Sequence, residues 1–338
     1  MNIKNILITG GTGFIGVHLV KRLYEDGHNL TLLVRETSDI SPFEDLKNIN
    51  YVTGDIRDIV SLRKAADGVD LIYHLVAYVK IWAKDPLIFD EINVNGAENI
   101  AKVAIEQNKK LIYISTFMAI GPNSIDNKVP LEETHEHEED FFNSDYERTK
   151  YYGKKKIEEY IQKGLKTVLI SPGFVYGPGD FNIYGQMLID IISKKFMGLP
   201  GKGNALFCMA YIEDVIDGLV TVMERDDILG ENFILGGENI PIGDYLDLVA
   251  EIADVKKPRH LPMSLGWVYA RLCETKTKIT KKMPDVVWPM LRGMKYNWAY
   301  SSEKAINKLG YKITPLREGL QKTVKWYQNY LEKEKVKG

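Results

Sequence analysis

Tyr146 and Lys150, four residues apart in DYERTK, are a pair whose types and spacing can do chemistry. At i and i+4 on a helix they share one face, one turn apart. A phenol loses its proton near pH 10, too high for acid–base work at neutral pH, and an ammonium held close lowers that value. Some way upstream, LIYISTFMAIG places two hydroxyls, Ser115 and Thr116, at the end of a strand-like run. A hydroxyl there can donate to a carbonyl oxygen as negative charge develops on it. The same Tyr-x-x-x-Lys spacing also arises on ordinary helix surfaces, so its weight comes from its company.

The other chemistry-bearing stretch is ILITGGTGFIG, with Gly10, Gly13, Phe14, Ile15 and Gly16 at its heart. It follows a strand-like run and opens a helix-like one. There, glycines let the backbone approach a pyrophosphate and the helix N-terminus offers free N–H groups. Both G-x-G-x-x-G and G-x-x-G-x-x-G fit it. The next strand, LTLLV, ends in Arg35, then Glu36, Thr37 and Ser38. A guanidinium suits a ribose 2′-phosphate and points to NADP. Glu36 could still reach a ribose hydroxyl, which keeps NAD open. Asp55 and Ile56 in GDIRD follow a third strand, where the carboxylate could bond an adenine amino group. Leu75, Val76 and Ala77 in HLVA follow a fourth, where small apolar residues let backbone lie along a cofactor.

These groups need a sheet edge to gather them. Ile3–Thr9, Leu30–Val34, Asn50–Thr53, Leu71–Leu75, Leu111–Ser115 and Thr167–Ser171 read as short buried strands, with helices between several of them. Such alternation predicts an α/β fold of the Rossmann type, a doubly wound parallel sheet covered by helices on both faces. The expected division is a nucleotide-binding domain over 1–180 and a smaller, mostly helical substrate lobe over 181–338, with segments around 211–235 returning to the first. SPGFVYGPGD reads as a turn-rich exit from the sheet. LEETHEHEED, with His135 and His137, reads as a solvated loop without the third ligand a metal site needs. Lys154–Lys156 read as the wet face of a helix.

The bulk properties set limits. The chain has 338 residues, 45% of them hydrophobic and 27% charged, with a net charge of −2. That balance gives no reason to expect a nucleic acid. Two cysteines, Cys208 and Cys273, make neither a disulfide framework nor a metal cluster. No apolar run reaches the roughly 20 residues of a membrane span. The opening MNIKNILITGG lacks the features of a secretory signal, so the expected location is the cytoplasm.

Taken in order, TGGTGFIG, GDIRD, ISTFMAIG, YERTK and SPGFVYGPGD resemble the extended short-chain dehydrogenase/reductase family over nearly the whole chain. The resemblance favours the G-x-x-G-x-x-G reading. It implies Thr116 as the catalytic hydroxyl, Tyr146 as general acid/base, and Lys150 as its partner with a second task on the nicotinamide ribose. It also implies that Asn93 supports the geometry, that Pro172 and Val175 line the nicotinamide, and, by analogy, a homodimer through the helices bearing Lys102 and Lys150.

Three departures bear on the substrate. Dehydratases of this family carry Asp-Glu after the catalytic hydroxyl; here Phe117 and Met118 stand there. Sugar-nucleotide enzymes place an asparagine where Phe174 stands and commonly an arginine where Phe207 stands. A diphosphate without such donors binds poorly. Tyr78, Ile81, Trp82, Phe117, Met118, Phe174 and Phe207 instead suggest an apolar pocket, although each could equally fill core. LVRETSD, GDIRD and YHLVAYVKIW are most similar to the branch of dihydroflavonol reductases and 3β-hydroxysteroid dehydrogenases. The expectation is an NADP-dependent oxidoreductase acting on a small apolar carbonyl or alcohol. The alternatives are an NAD(P)-retaining sugar epimerase, an NAD-dependent 3β-hydroxysteroid-type dehydrogenase and a non-catalytic NADP sensor. Residues 264–298 mix Trp, Leu, Met and Lys, and could pack the lobe, close as a lid or touch a membrane surface.

Overall fold

Short β-branched and leucine-rich runs separated by amphipathic stretches build a seven-stranded sheet in the computed structural model, which describes residues 3–80, 82–138, 141–280 and 288–337. Its strands are β1 (Asn5–Thr9), β2 (Asn29–Val34), β3 (Asn50–Thr53), β4 (Leu71–His74), β5 (Lys110–Ile114), β6 (Thr167–Pro172) and β7 (Asn232–Leu235). They lie in the order β7-β6-β5-β4-β1-β2-β3, all parallel. The order reverses between β1 and β4, and that crevice at the carboxyl ends is where open α/β sheets bind ligands.

Side chains alternate across the sheet. Ile6, Ile8, Leu32, Tyr73 and Ile112 fill the core on one face, and Leu7, Leu33, Ile72, Leu111 and Tyr113 that on the other. Helix α1 (Phe14–Glu25) covers the first face through Leu19, Val20 and Leu23. The second face is covered by α2 (Ile59–Ala65), α3 (Gly96–Glu106) and α4 (Asp145–Ile161), whose Leu62, Ile100 and Ile157 are wholly buried. Strand alternation with both faces dry is what the apolar runs require.

Beyond β6 the chain crosses to a second layer. SPGFVYGPGD is more regular than a turn: β6 runs through Pro172, and 174–176 forms a second strand parallel to 206–211. Pro172 is tolerated because it ends its strand. Helix α5 (Ile183–Ile192) follows, and α6 (Ile212–Met223) returns with Val215, Leu219 and Val222 buried against the first face. Then β7 completes the sheet, drawing residues 232–235 back into it. Helices α7 (Met263–Thr280) and α8 (Trp288–Gly293) form an outlying pair, and α9 (Leu316–Lys337) ends the described chain.

Two surface expectations are corrected. His137 is buried, because its ring fits beneath Phe142 and against Gly121, where an added Cβ would lie 2.9 Å from the imidazole. Lys154 is buried too, and its amine lies 3.1 Å from Glu158, one turn on along α4. Long basic side chains bury their stems while the charge finds a partner.

Candidate functional site

The loop after β1 is shaped by its glycines. Gly10 has φ +79°, and a Cβ there would lie 2.9 Å from the backbone of Leu75 and Val76. Any larger residue would push the loop off the end of β4. Gly16 lets α1 close onto the same loop, since its Cβ would strike the Gly10 carbonyl. Gly13 caps α1 without a side-chain hydrogen bond, and the first turn holds no acidic residue. The amides of Phe14 and Ile15 thus open a helix end without a carboxylate to compete with an anion. Residues so arranged fit a dinucleotide pyrophosphate.

The adenosine side is less finished. Arg35 and Glu36 are both exposed, and the Arg35 amide donates to Ser38 Oγ at 3.0 Å. Asp55 is engaged by Arg57, whose Nε and Nη2 donate to it at 2.9 and 3.0 Å. That guanidinium holds the Asp55 carboxyl below its ordinary value. Ile56 is buried over Gly96 rather than facing the groove. Leu75 continues from β4, its amide bonded to the Thr9 carbonyl at 2.9 Å; Val76 and Ala77 are half-buried beside the glycine loop.

Around the carboxyl end of β5 the candidate chemistry converges. Thr116 caps a single turn at Phe117–Ala119, its Oγ1 accepting from the Met118 amide at 3.3 Å. The hydroxyl proton is therefore left to donate outward. Tyr146, on the first turn of α4, keeps part of its surface open, with the Thr116 hydroxyl interacting with its phenol. Burial pushes the phenol up to about 12, and the Thr116 contact pulls it the other way. Ser115 Oγ is buried beside them without a hydrogen-bond partner.

Lys150 is almost wholly buried, and its Nζ donates to the Ile114 carbonyl at 2.9 Å. Burial pushes the amine down to about 7. The ammonium expected to stabilise the phenolate is thus directed at the β5 backbone, and Tyr146 is perturbed chiefly by desolvation. Beneath Lys150 lies the Tyr113 ring, 5.0 Å from Nζ, which stacks in turn on His74. His74 pairs with Thr9 Oγ1 at 2.7 Å, and burial together with Lys150 lowers it to about 3, so it stays neutral.

Asn93 ties the site together. It lies in a π-helical turn, Glu91–Asn95; its Oδ1 accepts from the Tyr78 amide at 2.7 Å and its Nδ2 donates to Thr149 Oγ1 at 2.9 Å. Gly153 allows this turn to approach α4 so closely that a Cβ would lie 2.3 Å from the Asn93 carbonyl. The start of α4 is fixed by Ser144 capping Glu147 N, and by Glu147 itself, which faces His137 Nε2 at 2.8 Å and accepts from the Asn143 amide at 3.0 Å. His137 Nδ1 faces the Glu138 carbonyl at 2.9 Å, so both ring nitrogens are occupied.

The apolar candidates divide. Phe117, Phe174 and Phe207 are buried and pack ring on ring, with centroids 4.3 and 4.5 Å apart. They are core beside the paired strands 174–176 and 206–211, with Trp298 and Tyr300 against Phe117. Met118 and Val175 are half-buried beside this cluster, whereas Pro172 is buried at the end of β6. The Tyr78 ring turns onto Phe89, and Trp82 is half-buried. Ile81 lies outside the described residues. Tyr184 was not legible in the sequence: it packs edge-on against Phe174 at 5.0 Å and lies near enough to Tyr146 to sense its charge. It reaches the site from α5, and no local motif marks it.

The family model described as the NAD dependent epimerase/dehydratase family matches residues 6–236. Among curated proteins, the chain is 25% identical to a putative dihydroflavonol 4-reductase of Synechocystis, covering 96% of this chain and 94% of that protein. It is 26% identical to sterol demethylase protein B of Methylococcus capsulatus, over 95% and 98%. It is 25% identical to isoform 1 of an Arabidopsis thaliana 3beta-hydroxysteroid-dehydrogenase/decarboxylase, over 94% and 78%. Among solved structures, that of gox2253 superposes with a TM-score of 0.82 at 33% identity, covering 97% of this chain and 98% of the other. The UDP-glucose 4-epimerase of Thermotoga maritima, solved with UDP-glucose, gives a TM-score of 0.78 at 23% identity, over 97% and 99%, and so shares the fold. A match that runs from β1 to just beyond β7 takes in the whole sheet and every group gathered at its edge, and on it the chain belongs to the NAD dependent epimerase/dehydratase family, the NAD(P)-dependent enzymes of the extended short-chain dehydrogenase/reductase class.

Proposed function

We propose that the protein is an NADP-dependent oxidoreductase that interconverts a small, mostly apolar carbonyl compound and its alcohol. The observation that carries this reading is the contact of the Thr116 hydroxyl with the Tyr146 phenol at the carboxyl end of β5, on the sheet edge that also carries the glycine loop. Gly10, Gly13 and the α1 N-terminus would hold the pyrophosphate, Arg35 and Ser38 a 2′-phosphate, and Lys150 the nicotinamide ribose. A bound reduced nicotinamide supplies the hydride that reduces the carbonyl carbon and is itself oxidised.

The chain's own residues do the rest. Thr116 donates a hydrogen bond to the carbonyl oxygen, where negative charge develops. Tyr146 passes its hydroxyl proton to that oxygen, and in the reverse direction takes it back. Positions where a diphosphate would find an asparagine or arginine hold Phe174 and Phe207, both buried in the ring cluster. This supports an apolar substrate over a sugar nucleotide. The relatives named for sterol and hydroxysteroid chemistry favour a second reading, an NAD-dependent dehydrogenase of a hydroxysteroid-like alcohol.

Titration calorimetry with NADPH and NADH in parallel separates the two. Charge-assisted contacts to a 2′-phosphate should make NADPH bind about 10- to 100-fold more tightly, and Arg35→Ala should erase most of that preference. Equal affinities, or a preference for NADH, would remove the NADP reading.

A further inference from the structure

Helix α7 carries two apolar stripes where the fold uses one. Gly266, Ala270, Cys273 and Thr277, spaced four, three and four residues apart, are buried. Leu265, Val268, Leu272 and Ile279, spaced three, four and seven apart, form a second stripe on nearly the opposite side. These four side chains are between 55% and 80% exposed. A surface helix normally shows polar residues there, and an apolar row of this length marks a contact surface. Met197, 69% exposed, precedes the short strand Leu199–Pro200, which the buried side of α7 packs against through Gly266.

Charge says what the stripe faces. The described stretches 263–280 and 288–295 hold five Lys or Arg against one acidic residue, in a chain whose net charge is −2. Arg271 and Lys276 are exposed on the two flanks of the stripe and make no ion pair among the described residues. Lys194 and Lys195, both exposed, precede Met197. Trp288 is 40% exposed and packs at a tilt against Trp267, whose ring also carries Lys295 at 5.2 Å. Apolar side chains flanked by long cations, with tryptophan at the margin, are the makings of a helix that lies in a bilayer interface. A second copy of the chain fits this surface poorly, because two-fold pairing would set the same cations against each other.

We propose that this face of α7 docks on the surface of an anionic lipid bilayer, lying on it rather than crossing it. No helix among the described residues is long and apolar enough to span a membrane. The consequence for the site follows from α8. Its Arg292 donates to the Phe142 and Asn143 carbonyls at 3.4 and 3.1 Å, immediately before the cap of the helix that bears Tyr146. Docking therefore fixes the catalytic end of the molecule relative to the lipid, where an apolar carbonyl or alcohol would be concentrated. The surface stands on exposure and charge; only this use of it rests on the function proposed above.

Flotation of the full chain with vesicles tests it. Vesicles of phosphatidylcholine containing about 30% phosphatidylglycerol should carry the protein, and vesicles of phosphatidylcholine alone should bind it about tenfold less. Raising the salt to about 0.5 M should release it. The double variant L272E/I279E should lose binding while keeping its far-ultraviolet circular dichroism and its affinity for NADPH. No binding to the anionic vesicles, or binding that survives the double variant, overturns the proposal. So does a wild type that ignores vesicles but forms a dimer by light scattering, with the double variant monomeric, which would make the stripe a self-association face. Vesicle binding without turnover of any apolar carbonyl would keep the docking surface and remove the proposed function instead.

Discussion

Lys150 holds an amine in a place that disfavours its charge, and this has a measurable consequence. Its value of about 7 lies below the ordinary 10.5, so between those limits the unfolded chain binds more protons than the folded one. Stability contributed at this position therefore rises with pH through that window and is at its lowest below pH 7. The cofactor-free protein should melt at a higher temperature at pH 9 than at pH 7 relative to Lys150→Met, which should lose this slope in scanning calorimetry. Tyr146→Phe removes the proton donor and little volume. Turnover should fall by roughly 10²- to 10⁴-fold while calorimetric NADPH binding is retained; unimpaired turnover would sink the assigned role. The i, i+4 spacing of Tyr146 and Lys150 on one helix and the position of Ser115 and Thr116 after a strand could be read from the sequence, whereas the choice of Thr116 between the two hydroxyls came from the family resemblance. Tyr184 was not legible, since its approach to Tyr146 depends on where α5 lands.

At the level of elements, the placement of Tyr146 depends on how α4 begins. Glu147 and His137 are buried against each other, and Glu147 also anchors the Asn143 amide one turn before. Removing the Glu147 carboxylate leaves His137 Nε2 and the Asn143 amide without their partner, and each buried polar group left unsatisfied costs about 1–3 kcal/mol. Glu147→Ala should lower the urea midpoint accordingly, with Glu147→Gln, which keeps the volume and an acceptor, milder. LEETHEHEED gives no sign that His137 is buried, because a run of carboxylates looks solvated when composition is the only guide. Its structure depends on a partner ten residues away and on the space left by Gly121. The strands, by contrast, were legible to within a residue or two. Continuous apolar runs of four to six residues fit a sheet dry on both faces, and the exception is the edge strand β3, read as buried from its sequence but largely exposed. The π-helical turn at Glu91–Asn95 leaves no such pattern, because it departs from a helix by one residue.

For the molecule as a whole, the division at residue 180 matters less than the route of the chain. The sheet edge β7 and the helix α6, with Val215, Leu219 and Val222 buried against it, come from beyond that point. A fragment of residues 1–180 should fail to fold, appearing insoluble or without a cooperative melt by circular dichroism, whereas a soluble and cooperative fragment would show that the first six strands suffice. The same route affects how the protein is made. Strand β6 is buried along its length, yet the neighbour that covers its outer edge is about sixty residues later. At the pace of a ribosome that interval is roughly 3 to 12 s, during which a dry, valine- and isoleucine-bearing edge stands open in a nascent chain. Its safe passage depends on the tempo of translation and on whatever shields the emerging polypeptide, which makes the yield of native protein sensitive to codon usage across residues 173–231.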